Sequence, residues 1–125
     1  MMIRGIRGAT TVEKNDAGLI LRATRELLEE IVRLNGIRPD AIASVFITMS
    51  PDLNATFPAR AIREMSGWDS VPLMCASEID VPGALSRCLR LLVHVNTDLQ
   101  PEQIRHAYLK EARSLRPDLA EKTDR

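Results

Sequence analysis

Hydrophobic residues recur at helical spacing in one long stretch of the chain. After Asp16, apolar side chains at positions 19, 20, 23, 27, 31 and 34 fall on one face of a helix. Asp16 is typical of a residue that caps a helix N-terminus, and Gly36 is typical of a helix end. The pattern therefore predicts one long amphipathic helix between these two residues.

The first segment of the chain has the composition of a strand. Met2–Glu13 (MIRGIRGATTVE) mixes β-branched residues with Gly5 and Gly8. Glycine inside a strand indicates either a β-bulge or a close approach of the backbone to a neighbour. We expect a strand with one of these two features, and Arg7 would lie on it.

Three further segments favour strands. Ala41–Met49 (AIASVFITM) has the length and β-branched content of a buried strand. Val71–Ala76 (VPLMCA) also predicts a strand, although Pro72 favours an edge or a strand start. Arg87–Thr97 (RCLRLLVHVNT) alternates apolar and polar residues, which favours a strand over a helix.

The remaining segments are short or ambiguous. Pro58 suits a first helical position and Gly67 a helix end, which predicts a short second helix. Beyond Pro101 the sequence resembles a helix start, and its periodicity slightly favours helix over strand. Residues 117–125 are polar and terminal, and we expect them to be mobile. One sheet with helices against it gives an α+β or α/β fold.

Composition excludes several classes of protein. The 125 residues suit a single domain, residues 1–125, and 45% hydrophobic content can form a core. Seventeen basic residues balance seventeen acidic ones, and only 3% are aromatic, so a nucleic-acid partner is not expected. The longest apolar runs are far shorter than the roughly 20 residues of a membrane span. We expect a soluble, cytoplasmic protein without a membrane partner.

The usual motifs of covalent, metal and cofactor chemistry are missing from the sequence. Cys75 and Cys88 have neither zinc-site nor redox-pair spacing, and we interpret both as reduced thiols. His94 lies in an apolar strand pattern and is interpreted as a packed or hydrogen-bonded histidine. For His106, beside Tyr108, a surface role is at least as well supported as a functional one. No nucleotide-phosphate, dinucleotide or HExxH motif is present. We therefore expect no metal and no cofactor.

Arginines in unusual positions are the remaining candidates for chemistry. Arg7 lies between glycines, and Arg90 lies in an apolar strand, where a guanidinium needs an anion because it cannot lose its charge. Arg60 and Arg63 are three residues apart and share a helical face. Each alone suits a salt bridge, but together they describe a pocket for a polyanion, with Glu78 as an acidic acceptor.

Four motifs connect the chain to a known family. They are RGIRGATT at residues 4–11, SPDLNATFPARAIRE at 50–64, CASEIDVPGALSRCLR at 75–90 and QIRHAYLKEARSLRPDL at 103–119. In this order they resemble the small monofunctional chorismate mutases that form trimers. The resemblance extends from the first strand to about Leu119, without gaps.

The resemblance implies an α+β fold and an assembly. A five-stranded mixed sheet would pack against one long helix and one short helix, and three subunits would form a pseudo-α/β-barrel with active sites in the clefts between them. It also implies that Arg105–Leu109 is a strand. We let this implication override the helix that periodicity favours there.

The resemblance also implies a set of site residues. One subunit would contribute Arg7, Cys75, Glu78, Arg90 and Tyr108, and its neighbour would contribute Phe57, Arg60 and Arg63, with Leu115 near the mouth. Arg90, Glu78 and Arg7 would be the catalytic residues. Met74 stands where a smaller, more polar residue is expected, so a side-chain hydrogen bond to substrate from this position is in doubt.

The implied reaction is the [3,3] rearrangement of chorismate to prephenate, which belongs to phenylalanine and tyrosine biosynthesis. It needs no nucleophile, general base, metal or cofactor, in agreement with the missing motifs. Two alternatives remain open at this point. One is a trimeric enamine/imine deaminase-like protein, which also grips a carboxylate with an interfacial arginine. The other is a non-catalytic metabolite-binding trimer.

Overall fold

A computed structural model describes residues 1–123 as one five-stranded mixed sheet with helices, an α+β fold. The strands are β1 (Met2–Thr11), β2 (Ile42–Met49), β3 (Leu73–Ser77), β4 (Cys88–Thr97) and β5 (Ala107–Tyr108). The α-helices are α1 (Ala17–Asn35), α2 (Ala59–Arg63) and α3 (Pro117–Thr123). The strand order is β3-β2-β4-β1-β5. β4 is antiparallel to β1 and β2, whereas β5 and β3 run parallel to β1 and β2, respectively.

Local capping chemistry sets both ends of α1. The Asp16 carboxylate accepts a hydrogen bond from the Leu19 N–H at 3.0 Å. Gly36 adopts a left-handed conformation, with φ of 60°, and its N–H donates to the Val32 carbonyl. Glycine takes this conformation without the steric penalty of a Cβ. The predicted bounds of the long helix are confirmed.

The core lies between α1 and one face of the sheet. Ile20, Leu27 and Ile31 of α1 are fully buried against apolar strand residues such as Val45 and Leu91. Burying such side chains stabilises the fold by roughly 1.5–3 kcal/mol each. These residues come from one stripe of α1 and from one face of the sheet. Helix α1 therefore leaves the other face of the sheet uncovered.

Gly8 is the site of the predicted close approach. A Cβ at this position would lie 2.7 Å from Cδ1 of Ile31 and 3.1 Å from Cδ1 of Leu27. The alternative prediction of a bulge in β1 is wrong, because β1 pairs with β4 without a break from Met2 to Thr11. The sheet's irregularity lies instead in β2, between Ile42 and Ser44.

Several predicted boundaries shift by one to three residues, and α2 ends at Arg63, well before the predicted end at Gly67. β3 begins at Leu73, after Pro72, because proline has no N–H to donate to the ladder. Pro58 is the N-cap of α2 and not its first residue. β4 begins at Cys88, one residue after the predicted start.

The C-terminal region is less regular than expected. Pro101–Gln103 forms a single 3₁₀ turn, and the strand predicted over Arg105–Leu109 is confirmed only for Ala107 and Tyr108. α3 then covers Pro117–Thr123, so most of the segment expected to be mobile has a helical backbone. Residues 124 and 125 of that prediction lie outside the described residues. The mobility of the segment stays a prediction.

The face of the sheet opposite α1 exposes large apolar side chains. Ile3, Phe46, Met74 and Leu92 are between 37% and 61% exposed. The strand register explains why they share this face, since Leu92 and Met74 both pair with Phe46. We call this surface the open face. A helix that would span a bilayer is absent from the part of the chain that the structure describes.

Candidate active site

A cleft on the open face brings three of the predicted site residues together. Arg7 of β1, Arg90 of β4 and Tyr108 of β5 line a cavity of about 330 Å³. Strand register causes this convergence, because Ala9 pairs with Arg90 on one side and with Tyr108 on the other. We call this cavity the arginine cleft. Its two guanidinium groups suit a ligand with more than one negative charge.

Glu78 provides the anion that a guanidinium in an apolar strand requires. Oε1 of Glu78 lies 2.7 Å from Nε of Arg90. The Glu78 N–H donates to the Met49 carbonyl at 2.9 Å, which holds the carboxylate just beyond the ends of β2 and β3. Arginine has five N–H donors, so this ion pair leaves donors for a second anion.

Cys88 lies close to Arg90 and is 2% exposed. Burial raises the pKa of the Cys88 thiol, and this effect outweighs the neighbouring Arg90 guanidinium, which lowers it. The thiol therefore stays protonated at neutral pH, which makes it a poor nucleophile. Cys75 is half-buried, and both cysteines are free thiols, as predicted.

A second cleft lies at the ends of β2 and β3, on the α1 side of the sheet. Phe57, Arg60 and Cys75 line this cavity of about 690 Å³, which we call the phenylalanine cleft. The Phe57 side chain is 71% exposed although it is apolar. Arg60 donates a hydrogen bond to Oγ1 of Thr56 at 3.2 Å, within the loop that leads into α2.

The two clefts lie on opposite faces of the sheet. Cys75 pairs with Ile47, which is buried in the core, whereas Arg90 pairs with Thr48 on the open face. Neighbours across a sheet point to the same side, and successive residues point to opposite sides. Arg63 is exposed in the last turn of α2 and lines neither cleft. Within one chain, the predicted site residues that line the two clefts therefore form two groups, one on each face of the sheet.

Met74 and Leu115 both lie on the side of the arginine cleft. Met74 is 61% exposed and pairs with Phe46, which lines this cleft. Leu115 is partly buried and packs against a small cluster that contains Ala9 and Tyr108. Both are apolar neighbours of the cleft in the structure.

Sequence reasoning missed several residues near the arginine cleft. Phe46, Thr48 and Leu92 line it. Side chains along a strand alternate between the two faces of the sheet. This alternation in β2 and β4 identifies the residues that share a face with Arg90, once Arg90 has been chosen as a site residue. Arg116 is a further omission: it interacts electrostatically with Tyr108, and its ion pair with Asp118, at 3.0 Å, raises the pKa of Arg116.

Neither histidine is arranged to activate a nucleophile at this cleft. Nδ1 of His94 lies 3.1 Å from Oγ of Ser44, and its ring packs edge-on against Phe46. The interpretation of His94 as a hydrogen-bonded histidine is therefore confirmed. Nδ1 of His106 accepts a hydrogen bond from the Arg7 backbone N–H. The cleft offers cations, a carboxylate, a phenol and apolar walls, which suit the binding and orientation of a small polyanion.

Comparison with known proteins decides the family. The sequence model of "Chorismate mutase type I" matches residues 3–119. The chain belongs to this family. It is 49% identical over 120 residues to the chorismate mutase AroH of Bacillus subtilis (strain 168), covering 96% of this chain and 94% of that protein. It is also 48% identical over 119 residues to the chorismate mutase AroH of Thermus thermophilus, covering 94% and 97% of the two chains.

A solved structure gives the same result. The chorismate mutase from Clostridium thermocellum is 49% identical, with a TM-score of 0.86 over 89% of this chain and 98% of that one. The resemblance inferred from the four motifs is confirmed, and this chorismate mutase is an isomerase. The α+β fold with a five-stranded mixed sheet is confirmed as well. The family match favours this activity over the deaminase-like and non-catalytic alternatives.

Proposed function

We propose that this chorismate mutase converts chorismate to prephenate in an active site assembled from the arginine cleft of one subunit and the phenylalanine cleft of another. The observation that carries the proposal is the convergence of Arg7, Arg90 and Tyr108, with Glu78 paired to Arg90. Chorismate has two carboxylates, a ring hydroxyl and an enol ether. This cleft offers a complement to each of these groups.

The rearrangement is concerted and breaks the ether C–O bond as the new C–C bond forms. No proton is transferred and no covalent intermediate with the protein is formed. Catalysis then depends on holding the reactive conformer and on stabilising the negative charge that develops at the ether oxygen. A preorganised guanidinium is suited to both tasks.

Each polar residue has a separate role in this proposal. Arg90 donates to the ether oxygen and to one carboxylate, while Arg7 and Tyr108 bind carboxylate oxygens. Glu78 accepts a hydrogen bond from the ring hydroxyl. Cys75 lines the phenylalanine cleft, so its weaker contact to the same hydroxyl comes from the neighbouring subunit. The ion pair between Glu78 and Arg90 supports these roles, because it holds the acceptor beside the donor before substrate arrives.

A neighbouring subunit supplies the remaining side chains. Arg60 and Arg63 add positive potential for a dianionic substrate, and Phe57 forms an apolar wall together with Leu115. The location of the two clefts on opposite faces of one sheet supports this division, because a single chain cannot direct both toward one small molecule. A second copy can bring its phenylalanine cleft to the edge of the arginine cleft.

The assembly in this proposal is a homotrimer with the open faces turned inward as a pseudo-α/β-barrel. Its support is the exposure of Ile3, Phe46, Met74 and Leu92, which form an apolar surface that no element within residues 1–123 covers. Contiguous apolar surface of this kind marks an interaction site. The enzyme acts in the cytoplasm, in phenylalanine and tyrosine biosynthesis.

One assay tests the activity and its independence from metals. Purified protein is mixed with chorismate in the presence of a chelator, and the loss of chorismate absorbance and the formation of prephenate are followed. Turnover is expected. Binding of chorismate without turnover would indicate the non-catalytic alternative, and turnover of 2-aminoacrylate in its place would indicate the deaminase-like one. Sedimentation equilibrium of the same sample tests the trimer.

A further inference from the structure

His106 makes an uncommon contact with the main chain of β1. Its ring nitrogen Nδ1 accepts a hydrogen bond from the backbone N–H of Arg7 at 2.9 Å, across 99 residues of sequence. Arg7 is also one of the two cations of the arginine cleft. The contact therefore fixes the backbone from which a proposed substrate-binding side chain extends.

This contact exists because the hydrogen-bond ladder between β5 and β1 is short. β5 pairs with β1 only at Gly8↔Ala107 and Ala9↔Tyr108, and the Leu109 N–H donates to the Ala9 carbonyl. If this parallel ladder continued by one step, the N–H of Arg7 would donate to the carbonyl of residue 105.

Asn35, at the end of α1, prevents that continuation. Its side chain accepts from the Arg105 N–H at 2.8 Å and donates to the Arg105 carbonyl at 2.9 Å. Both backbone groups of Arg105 thus turn toward the helix and away from β1. The imidazole of His106 takes the place of the missing carbonyl opposite Arg7.

We propose that His106 is a positioning residue for Arg7. The inference rests on the proposed function, in which Arg7 binds a substrate carboxylate. A ring nitrogen that accepts a hydrogen bond has a lone pair, so the neutral ring holds its proton on Nε2. Without this acceptor the Arg7 N–H forms a hydrogen bond with water. The backbone that carries the guanidinium is then no longer held in one position beside the arginine cleft. Small displacements of a binding group lower rates strongly in reactions that depend on orientation.

Two substitutions separate the acceptor from the bulk of the ring. His106→Asn keeps an acceptor, because its Oδ1 is the same number of bonds from Cβ as Nδ1 of histidine. His106→Leu fills similar space without an acceptor. We expect His106→Leu to lower kcat/KM for chorismate by about 10- to 100-fold. His106→Asn should stay close to the original enzyme, and a purely space-filling role would not produce this difference.

A double-mutant cycle tests whether His106 acts through Arg7. Arg7→Ala alone should lower kcat/KM by about 100-fold or more, as expected when a charged donor to the substrate is removed. Adding His106→Leu to Arg7→Ala should cause no further loss. Thermal unfolding and sedimentation of all four proteins establish that each is a folded oligomer.

The outcomes distinguish the two proposals. If Arg7→Ala lowers kcat/KM as expected but His106→Leu causes its full loss again in that background, the positioning role is wrong and the proposed site stands. If His106→Asn loses as much as His106→Leu, the acceptor role is wrong. Full activity of Arg7→Ala would overturn the proposed site and the positioning role together. Should His106→Leu fail to fold, ¹⁵N NMR of the unmutated enzyme decides, because a protonated Nδ1 on His106 contradicts the inference.

Discussion

Oε1 of Glu78 and Nε of Arg90 are 2.7 Å apart, and this ion pair joins the loop after β3 to the middle of the sheet. The side chains are 27% and 45% exposed, respectively, so solvent screens their attraction and the pair adds little to stability. Its consequence is geometric. The ion pair positions the guanidinium beside the carboxylate before substrate binds, and preorganised donors lower reaction barriers.

Replacing Arg90 should therefore affect turnover more than binding. Because the interaction is strongest at the breaking ether bond, Arg90→Ala should lower kcat by about 100- to 1000-fold or more, equivalent to about 3–4 kcal/mol. Arg90→Lys keeps the charge but loses the planar fork, and it should remain far below the original enzyme. Steady-state kinetics with chorismate provide the measurement.

A matched substitution controls for the general effect of replacing arginine by lysine. Arg38 pairs with Asp40 near the start of β2, and its side chain is 80% exposed. Arg38→Lys should leave kcat unchanged. A normal kcat for Arg90→Lys would contradict the claim that guanidinium geometry at position 90 drives the rearrangement.

Mixed oligomers test the sharing of the active site between subunits. Arg63→Ala and Arg90→Ala are each expected to be inactive alone. After dissociation and reassembly in equal amounts, each mixed trimer should contain one site with Arg63 from one subunit and Arg90 from another, so about a quarter of all sites should recover activity. Absence of recovery from well-folded mixed trimers would mean that each site is built by one chain.

Substitution of Cys75 should have a small effect. The thiol is half-buried and lies on the α1 side of the sheet, opposite the face that holds Arg90. Cys75→Ala removes at most one weak contact and should lower kcat/KM by less than about 10-fold, corresponding to a single net hydrogen bond. Complete loss of activity in an intact oligomer would show that the proposed mechanism omits an essential thiol.

The composition of the site was more predictable than its arrangement. The exceptional positions of Arg7 and Arg90 marked them from sequence alone, because a guanidinium between glycines or in an apolar strand requires an explanation. The face on which Cys75 lies depends on the registers of β3 and β2, which form between segments far apart in sequence. Thr48 was missed for the same reason.

The packing of Gly8 leads to a prediction of stability. A Cβ at this position would lie 2.7 Å from Cδ1 of Ile31, so the buried Ile31 side chain, the helix or the strand must shift. Gly8→Ala should lower the free energy of unfolding by about 1–3 kcal/mol, as overpacking of a core does. Denaturant unfolding followed by the fluorescence of Trp68, which is 3% exposed, measures this change.

Gly5 in the same strand is the control for that substitution. A Cβ there would meet Cδ1 of Leu92 at 3.6 Å, an ordinary contact. Gly5→Ala should change the free energy of unfolding by less than about 0.5 kcal/mol at the same protein concentration. Equal effects of the two substitutions would mean that the contact with Ile31 is not what requires glycine at position 8.

Asp52 should make stability depend on pH in the acid range. Burial opposes its ionisation, but hydrogen bonds from the Ser50 hydroxyl and the Arg87 N–H outweigh this effect and hold the pKa of Asp52 below its ordinary value. A carboxylate with a lowered pKa in the folded state stabilises that state above its unfolded pKa, near about 3.9. This contribution is lost as pH falls through the folded pKa.

Asp52→Asn should consequently be less stable than the original protein at pH 7, and the difference should shrink as pH falls below about 4. Denaturant unfolding at a series of pH values measures it. Asp98→Asn, at a side chain that is 90% exposed, controls for the loss of one negative charge. A difference that does not vary with pH would assign the effect of Asp52→Asn to hydrogen-bond geometry and not to its ionisation.

Elements formed by interactions between residues close in sequence could be predicted, whereas elements that depend on distant segments could not. Both ends of α1 were predictable because Asp16 and Gly36 act within one turn of the helix. β5 was not, since its two paired residues depend on β1, almost one hundred residues earlier, and on Asn35, which holds Arg105 away from the ladder. The hydrophobic periodicity around β5 does not reveal its interaction with β1 or with Asn35.

The strand order has a consequence for synthesis of the chain on the ribosome. β1 is made first, yet it lies between β4 and β5, and Met2 pairs with Thr97. The pair formed by β2 and β3 joins β1 and β5 only through β4. A nascent chain that ends before Cys88 therefore has two long strands, β1 and β2, without the strand that joins them. The sheet can close only after β4 has been made, which slows folding and leaves the earlier strands exposed to aggregation until then.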